Sequence, residues 1–399
     1  MQRRMFMAFA ASVAAFALLG GAAEAQEVLK IGASAPKTGP LGGGAAVTHW
    51  PNVKLWVEEV NGRGGIRIGD QQYKIELVEY DDQTNPEVAI QNIQRLATVD
   101  KVDFIVTPYS TGINVATAPM ISQHGFPHIT TSAATDGIEE FAKRWPNSFW
   151  MLGTATQLAK GAVDSLVKLR DKGDIGNKVA LVNVTDAFGM ELVGAAKPAL
   201  SEAGFEIVYE ASFPLGTQDL APIISAAKAA APDAFIAFSY PGETFALTEQ
   251  AQIQGLDVGA FYVGVGTAFP SFSERFGKAA EGILGIGGVN IDDPKVKDYM
   301  DRHKAVTGQS PDFWASATTY AGLQVLEQAI EKAGTKDRAA VIQAIKDNTF
   351  DTVIGQVKFN NNINPNVWTV GQWRDGNFVA VAADGMEISQ EPVRKQGWE

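Results

Sequence analysis

Short apolar runs recur along this chain with amphipathic stretches between them, and that alternation limits the folds open to it. The runs are VLKIGAS (28–34), KIELVEY (74–80), DFIVT (103–107), KVALVNV (178–184), DAFIAFS (233–239) and GAFYVGV (259–265). Several are apolar at consecutive positions, the pattern of strands buried on both faces of a parallel sheet. The segments between them read as helices. Asn85 and Pro86 supply a cap and a first-turn proline ahead of Ala89, Ile93, Leu96 and Ala97, which are spaced for one helical face. Ala317, Tyr320, Leu323, Leu326 and Ile330 form another stripe that stops at Gly334, a residue suited to a left-handed helix end.

Strand and helix alternate in two series, 28 to about 147 and about 154 to 286, which predicts two doubly wound α/β lobes. No low-complexity tether separates the series, so close strand-like crossovers and a hinge are expected. TVIGQVKF and VWTVGQW, within 350–382, read as late strands able to return to the second lobe. The expected organisation is a leader (1–25), lobe 1 (26–150), lobe 2 (151–286), a return to lobe 1 (287–353), and a return to lobe 2 with the C-terminal tail (354–399).

The leader is inferred from Arg3 and Arg4 ahead of an apolar run that ends in Ala23-Glu24-Ala25, the pattern of a cleaved secretory signal. The run is short and alanine-rich for a membrane span. Cleavage after Ala25 removes two arginines and one glutamate, taking the net charge from −12 to −13. So acidic a chain repels nucleic acid and anionic lipid. It has no cysteine, which excludes disulfides, thiolate metal sites, cysteine nucleophiles and a lipid-modified N-terminus. A free exported protein of this kind belongs in a periplasm, and no later run is long enough to insert into a membrane.

In open parallel sheets ligands bind beyond the carboxyl ends of the strands. The loops there are PKTGPLGGG (36–44), TPYSTG (107–112), TTSAAT (130–135), VTDAFG (184–189), SYPGET (239–244) and GVGTAF (264–269). They are rich in hydroxyls and glycine and poor in charge. Helix capping accounts for each hydroxyl taken singly. Taken together, next to helix N-termini, they suit a carboxylate or another acceptor-rich group.

Catalytic patterns are missing. The chain has no G-x-S-x-G elbow and no Walker loop, and GVGTAF stops short of a dinucleotide fingerprint. His124 and His128 have the spacing of a helical metal pair, but the intervening Gly125-Phe126-Pro127 cannot sit in a regular helix. Asp81 with Asp82, and Asp292 with Asp293, read as turn carboxylates. No enzymatic activity, metal or cofactor is expected; an exported α/β hydrolase is the alternative from another class.

LKIGASAPKTGPLG, VNGRGGI, VEYDDQTNPEVAI, PYSTG with GFPHITTSAAT, and TVIGQVKFN follow one another across residues 28–382. In that order they resemble the leucine/isoleucine/valine-binding family of periplasmic solute receptors for ABC transporters. The resemblance implies a two-lobed fold of the Venus-flytrap type that closes on a small ligand and delivers it to an inner-membrane ABC permease complex; the same receptor could instead report to a sensor. It also implies a ligand site. Thr111, with Ser110 adjacent, takes the place of the hydroxyl that binds the ligand carboxylate. Ser132 and Ala133 supply further donors, with Ala134 or Thr135 where the family often has threonine. Phe188 and Tyr240 are the aromatics opposite, and Tyr109 and Phe269 lie near the cleft. Where amino-acid-binding members carry an acid for the α-ammonium, this chain has Gly266, with Glu243 or Asp186 as possible substitutes. A buried ammonium without a countercharge is costly, so an aromatic or other non-amine carboxylate is the favoured ligand, and a branched-chain or other amino acid the alternative.

Overall fold

The computed structural model describes residues 27–388 and 390–398; the predicted leader lies outside them. The first lobe is built on β1 (Val28–Ala35), β2 (Ile66–Ile68), β3 (Gln71–Asp81), β4 (Phe104–Val106), β5 (His128–Thr130) and β6 (Ser148–Trp150). Four of these form a sheet in the order β2-β3-β1-β4, and β5 pairs in parallel with β6. β1 runs parallel to both neighbours and is buried almost throughout. Its consecutive apolar residues therefore meet helices on both faces.

The second lobe carries a seven-stranded sheet. In chain order its strands are β7 (Lys178–Val184), β8 (Glu206–Phe213), β9 (Ala234–Phe238), β10 (Ala260–Gly264) and β11 (Leu284–Ile286). After the hairpin β12 (Phe350–Thr352) and β13 (Gly355–Val357) come β14 (Val367–Arg374) and β15 (Asn377–Asp384). The sheet order is β15-β14-β11-β10-β9-β7-β8, parallel from β8 to β11 and antiparallel at β14 and β15.

One sequence expectation fails here. The 350–357 segment forms its own two-stranded hairpin and joins neither large sheet. Phe350 is buried, and the hairpin bonds to the helix Ala315–Ala333: Gln328 donates to the Asp351 carbonyl at 2.8 Å, and Val353 N–H donates to Gln324 at 2.9 Å. Backbone pairing with that helix's side chains holds the hairpin away from the second sheet. Only the VWTVGQW run enters that sheet, as part of β14.

The expected caps are present. The Asn85 side chain accepts from Glu87 and Val88 N–H, and Gly334 ends its helix with φ +63°. The chain crosses between lobes after β6, after β11 and before β14. The first and last crossings lie side by side: Trp150 N–H donates to the Asn362 carbonyl at 2.8 Å, Asn364 N–H donates to the Trp150 carbonyl at 2.9 Å, and Asn364 Nδ2 reaches the Met151 carbonyl at 3.1 Å. At the middle crossing Gly287 has φ +102°, and a Cβ there would meet the Trp314 ring at 2.0 Å. Only glycine lets the chain pass that indole.

Candidate functional site

The loops at the carboxyl ends of β4 and β5 form the lobe 1 wall of the cleft. Ser110 caps the helix Thr111–Gln123 from a backbone position (φ +81°, ψ +154°) rarely tolerated by a residue with a Cβ. Its Oγ accepts from Ile113 N–H at 3.4 Å, while its own N–H donates to Ser132 Oγ at 3.2 Å. Ser132 in turn donates to the Pro108 carbonyl at 3.4 Å. The Thr111 hydroxyl accepts from Ala134 N–H and donates to the Ala134 carbonyl, both at 3.2 Å. These bonds sew the two loops together. The N–H groups of Thr111 and Gly112 open the helix and by position have no intrahelical acceptor. The Ala133 methyl is buried against Ile138 and Trp150, so only its backbone can serve a ligand. Tyr109 is buried with its phenol against Gly44 and Thr48 of the first lobe, where burial pushes its pKa up.

The second lobe presents Phe188 and Tyr240, both buried, with ring centroids 5.3 Å apart. The Tyr240 hydroxyl donates to Asp186 Oδ2 at 2.9 Å and has the Ser110 hydroxyl beside it, so it touches polar groups of both lobes. Asp186 caps the helix Ala187–Glu202 by accepting from Gly189 N–H at 2.9 Å. Glu243 is buried and accepts from Gly216 N–H at 2.6 Å. Desolvation raises the pKa of both carboxyl groups, and each group's hydrogen bonds offset part of the rise.

Gly266 has φ +102°, and a Cβ there would stand 2.8–3.1 Å from Pro241. An acidic side chain at this position is therefore excluded both by backbone conformation and by contact. Phe269 is buried at the start of the following helix.

The lobes meet across the cleft. A Cβ on Gly112 would lie 4.0 Å from the Ala187 Cβ, and one on Gly216 would lie 3.2 Å from Pro40 Cγ. A contact the sequence did not reveal is made by Glu191. Its Oε1 accepts from the Thr135 hydroxyl and its Oε2 from Asp136 N–H, each at 2.8 Å. A hydroxyl has one proton, so in this arrangement Thr135 offers a ligand only acceptor capacity, and its Oγ1 already accepts from Gly137 N–H at 3.0 Å. Glu191 lies 56 residues from Thr135 in the chain, and no local motif marks it.

Ser110 has no histidine partner. His49 packs edge-on to Trp50, His124 contacts Gln94, His128 bonds Ser148 and Asn114, and His303 meets the Gln309 carbonyl. The hydrolase alternative finds no support in this geometry. Among the described residues no three potential metal-ligating side chains converge.

Two hinged α/β lobes facing each other across a hydroxyl-lined cleft define a two-lobed solute receptor. The sequence profile described as "Periplasmic binding protein" matches residues 28–377, and the chain belongs to that family. Curated relatives lie on its leucine/isoleucine/valine-binding side. The chain is 29% identical to Leu/Ile/Val-binding protein homolog 7 of Brucella melitensis, covering 94% of this chain and 96% of that protein. It is 28% identical to homolog 3 of the same organism, with 93% and 98% covered. Among solved structures it resembles the substrate-binding protein LivJ of Streptococcus pneumoniae in complex with isoleucine (TM-score 0.77, 22% identity, 92% of this chain and 100% of that one). It also resembles a solute-binding protein of an ABC transporter from Rhodopseudomonas palustris BisB5 in complex with 3,4-dihydroxybenzoic acid (TM-score 0.75, 22% identity, 92% and 98%). The family is one of solute-binding proteins, not enzymes, that work with ABC permeases. No helix among the described residues is long and apolar enough to cross a membrane.

Proposed function

We propose that this chain is exported to the periplasm through a cleaved leader, captures a small non-amine carboxylate between its lobes and delivers it, without turnover, to an inner-membrane ABC permease complex. Lobe 1 with residues 27–150 and 287–357, and lobe 2 with 151–286 and the segment from β14 onward, are the two halves of the trap; the expected boundary at 353 would cut the β12–β13 hairpin. The observation that carries the ligand reading is Gly266. Position 266 has no room for an acidic side chain, while the lobe 1 wall gathers Ser110, Thr111, Ser132, Ala133, Ala134 and Thr135 around a helix N-terminus suited to a carboxylate. Phe188 and Tyr240 of lobe 2, with Tyr109 on the lobe 1 side, give the rest of the ligand aromatic surroundings. The R. palustris neighbour bound to 3,4-dihydroxybenzoic acid is consistent with this class of ligand.

A second reading, an amino acid, is favoured by one specific observation. Asp186 and Glu243 sit within electrostatic range of each other on the lobe 2 wall, where either could face an ammonium group. Calorimetric titration of benzoate, 3-phenylpropionate and leucine in one buffer separates the two. The non-amine acids should bind at least tenfold more tightly than leucine. Micromolar leucine binding without a response to the acids would replace the first reading with the second. Thr111→Ala should then weaken the best ligand about tenfold to a hundredfold, the scale of a hydrogen bond to a charged group, because a bound carboxylate would take the hydroxyl proton from the long Ala134 carbonyl bond, and Thr111→Ser should restore it.

A further inference from the structure

We infer that Glu191 is the latch of the trap: a positioning residue that sets how often the lobes close, and hence the affinity for any ligand, without touching the ligand itself. Its carboxylate belongs to the lobe 2 helix Ala187–Glu202, and both donors it accepts from, the Thr135 hydroxyl and Asp136 N–H, belong to the lobe 1 loop after β5. Each oxygen takes one bond at 2.8 Å, so the acceptor is used in bidentate fashion.

The same loop carries the reciprocal contact. The Asp136 carboxylate accepts from Thr156 N–H at 2.9 Å and from the Thr156 hydroxyl at 2.8 Å, in the first turn of the helix Ala155–Asp171. That helix begins directly after the first crossing between lobes, where Thr154 and Gln157 form a capping box. Asp136 thus ties the loop to lobe 2 close to the hinge, where the two lobes are joined covalently and stay near each other. Glu191 reaches the loop from a second helix, across the lobe boundary. Opening the cleft swings the Ala187–Glu202 helix away from lobe 1 and breaks the Glu191 pair.

The consequence follows from a two-state hinge. A ligand that binds only the closed form has an apparent affinity reduced by the fraction of molecules that are closed. Losing a bidentate, charge-assisted contact made only in the closed form lowers that fraction by the same factor for every ligand. Glu191 therefore scales affinity alike for every ligand that does not take up the Thr135 proton its loss would release. That separates it from Ser110 or Phe188, whose replacement would change which ligands are preferred.

The chain's lack of cysteine allows a test that needs no ligand. The Gly112 and Ala187 positions face each other with a Cβ separation of 4.0 Å, inside the range a disulfide spans. In a Gly112→Cys/Ala187→Cys protein the rate of disulfide formation under a fixed glutathione buffer reports the closed fraction, even where closure is rare. Adding Glu191→Ala should slow cross-linking about tenfold, and Glu191→Gln, which keeps one acceptor oxygen, should fall between. Urea unfolding of the Glu191 variants checks that both lobes remain folded. Cross-linking at the parent rate in a folded Glu191→Ala protein overturns the latch. Because the readout is ligand-free, that outcome leaves the ligand assignment standing, and a failed ligand assignment leaves the latch standing.

Discussion

At Ser110 a side chain sits where the backbone favours glycine, and its neighbours explain why the sequence could announce the site without describing it. Adjacent hydroxyls at the end of a strand were legible as a cap or a grip, and the structure uses Ser110 as a cap. The partnership of Tyr240 with Asp186 and of Thr135 with Glu191 was not legible, because each pair is separated by more than fifty residues and is joined only by folding or closure. Burial of titratable groups was equally hidden. His49 is buried with both ring nitrogens unpartnered, and desolvation lowers its pKa to about 3. The unfolded chain binds a proton at His49 below about pH 6.5, while the folded chain does not. Stability from this residue is therefore full above pH 6.5 and is lost as the pH falls toward 3. Between pH 6.5 and 5 the loss should be about 2 kcal/mol, at 1.36 kcal/mol per pH unit. Asp82 and Asp312, raised by burial to about 7 and about 6, act with the opposite sign. They are common to parent and variant, as is His128. Urea titrations at the two pH values should show His49→Leu losing about 2 kcal/mol less than the parent; equal losses would mean the imidazole titrates normally in the folded state.

Among the elements, the strands with consecutive apolar residues were the most readable, since burial on both faces leaves no polar alternation to confuse them: β7, β9 and β10 fall within the runs that mark them, and β1 runs one residue past its own, to Ala35. β6 and β11 are three residues long and lack such a signature, and β12 with β13 reads as sheet although the helix beside it claims the segment. The C-terminal tail was also opaque, because it holds by contacts spaced along an irregular backbone. Val393 N–H donates to Gln372 at 3.0 Å, Lys395 N–H donates to the Gly259 carbonyl at 2.8 Å, and the Trp398 indole N–H donates to the Leu256 carbonyl at 2.9 Å. The Trp398 ring stands edge-on to Phe261 with Lys395 Nζ 3.8 Å from its centroid. The tail is a strap across the second lobe, running from β14 to the chain that enters the central strand β10. Trp398→Ala removes a buried-side hydrogen bond, an aromatic pair and a cation–π contact, together worth about 2 kcal/mol. Urea unfolding should record that loss. An unchanged midpoint would show that the strap is held by its backbone bonds alone.

For the molecule as a whole, the function depends on how three crossings can both join and free the lobes. The first and last crossings are hydrogen-bonded to each other through Trp150, Asn362 and Asn364, so they move as one ribbon. The middle crossing bends at Gly287, against Trp314. A ribbon of this kind resists twisting yet permits a change of opening angle, in which a few backbone dihedrals absorb the motion and the packed interiors of the lobes stay fixed. The closed arrangement described above makes contacts across the cleft, at Gly112 with Ala187, Gly216 with Pro40, and Glu191 with the 135–136 loop, that an open one cannot make. Under the proposed function, a ligand bridging the Ser110–Thr111 wall and the Phe188–Tyr240 wall would favour the closed form by its differential contacts. Small-angle scattering on the purified protein should therefore give a smaller radius of gyration with saturating ligand than without it, the liganded curve matching the closed arrangement. The urea dependence of unfolding should keep its slope, because neither lobe refolds. An unchanged radius with calorimetrically confirmed binding would place the ligand outside the cleft and remove the hinge from the mechanism.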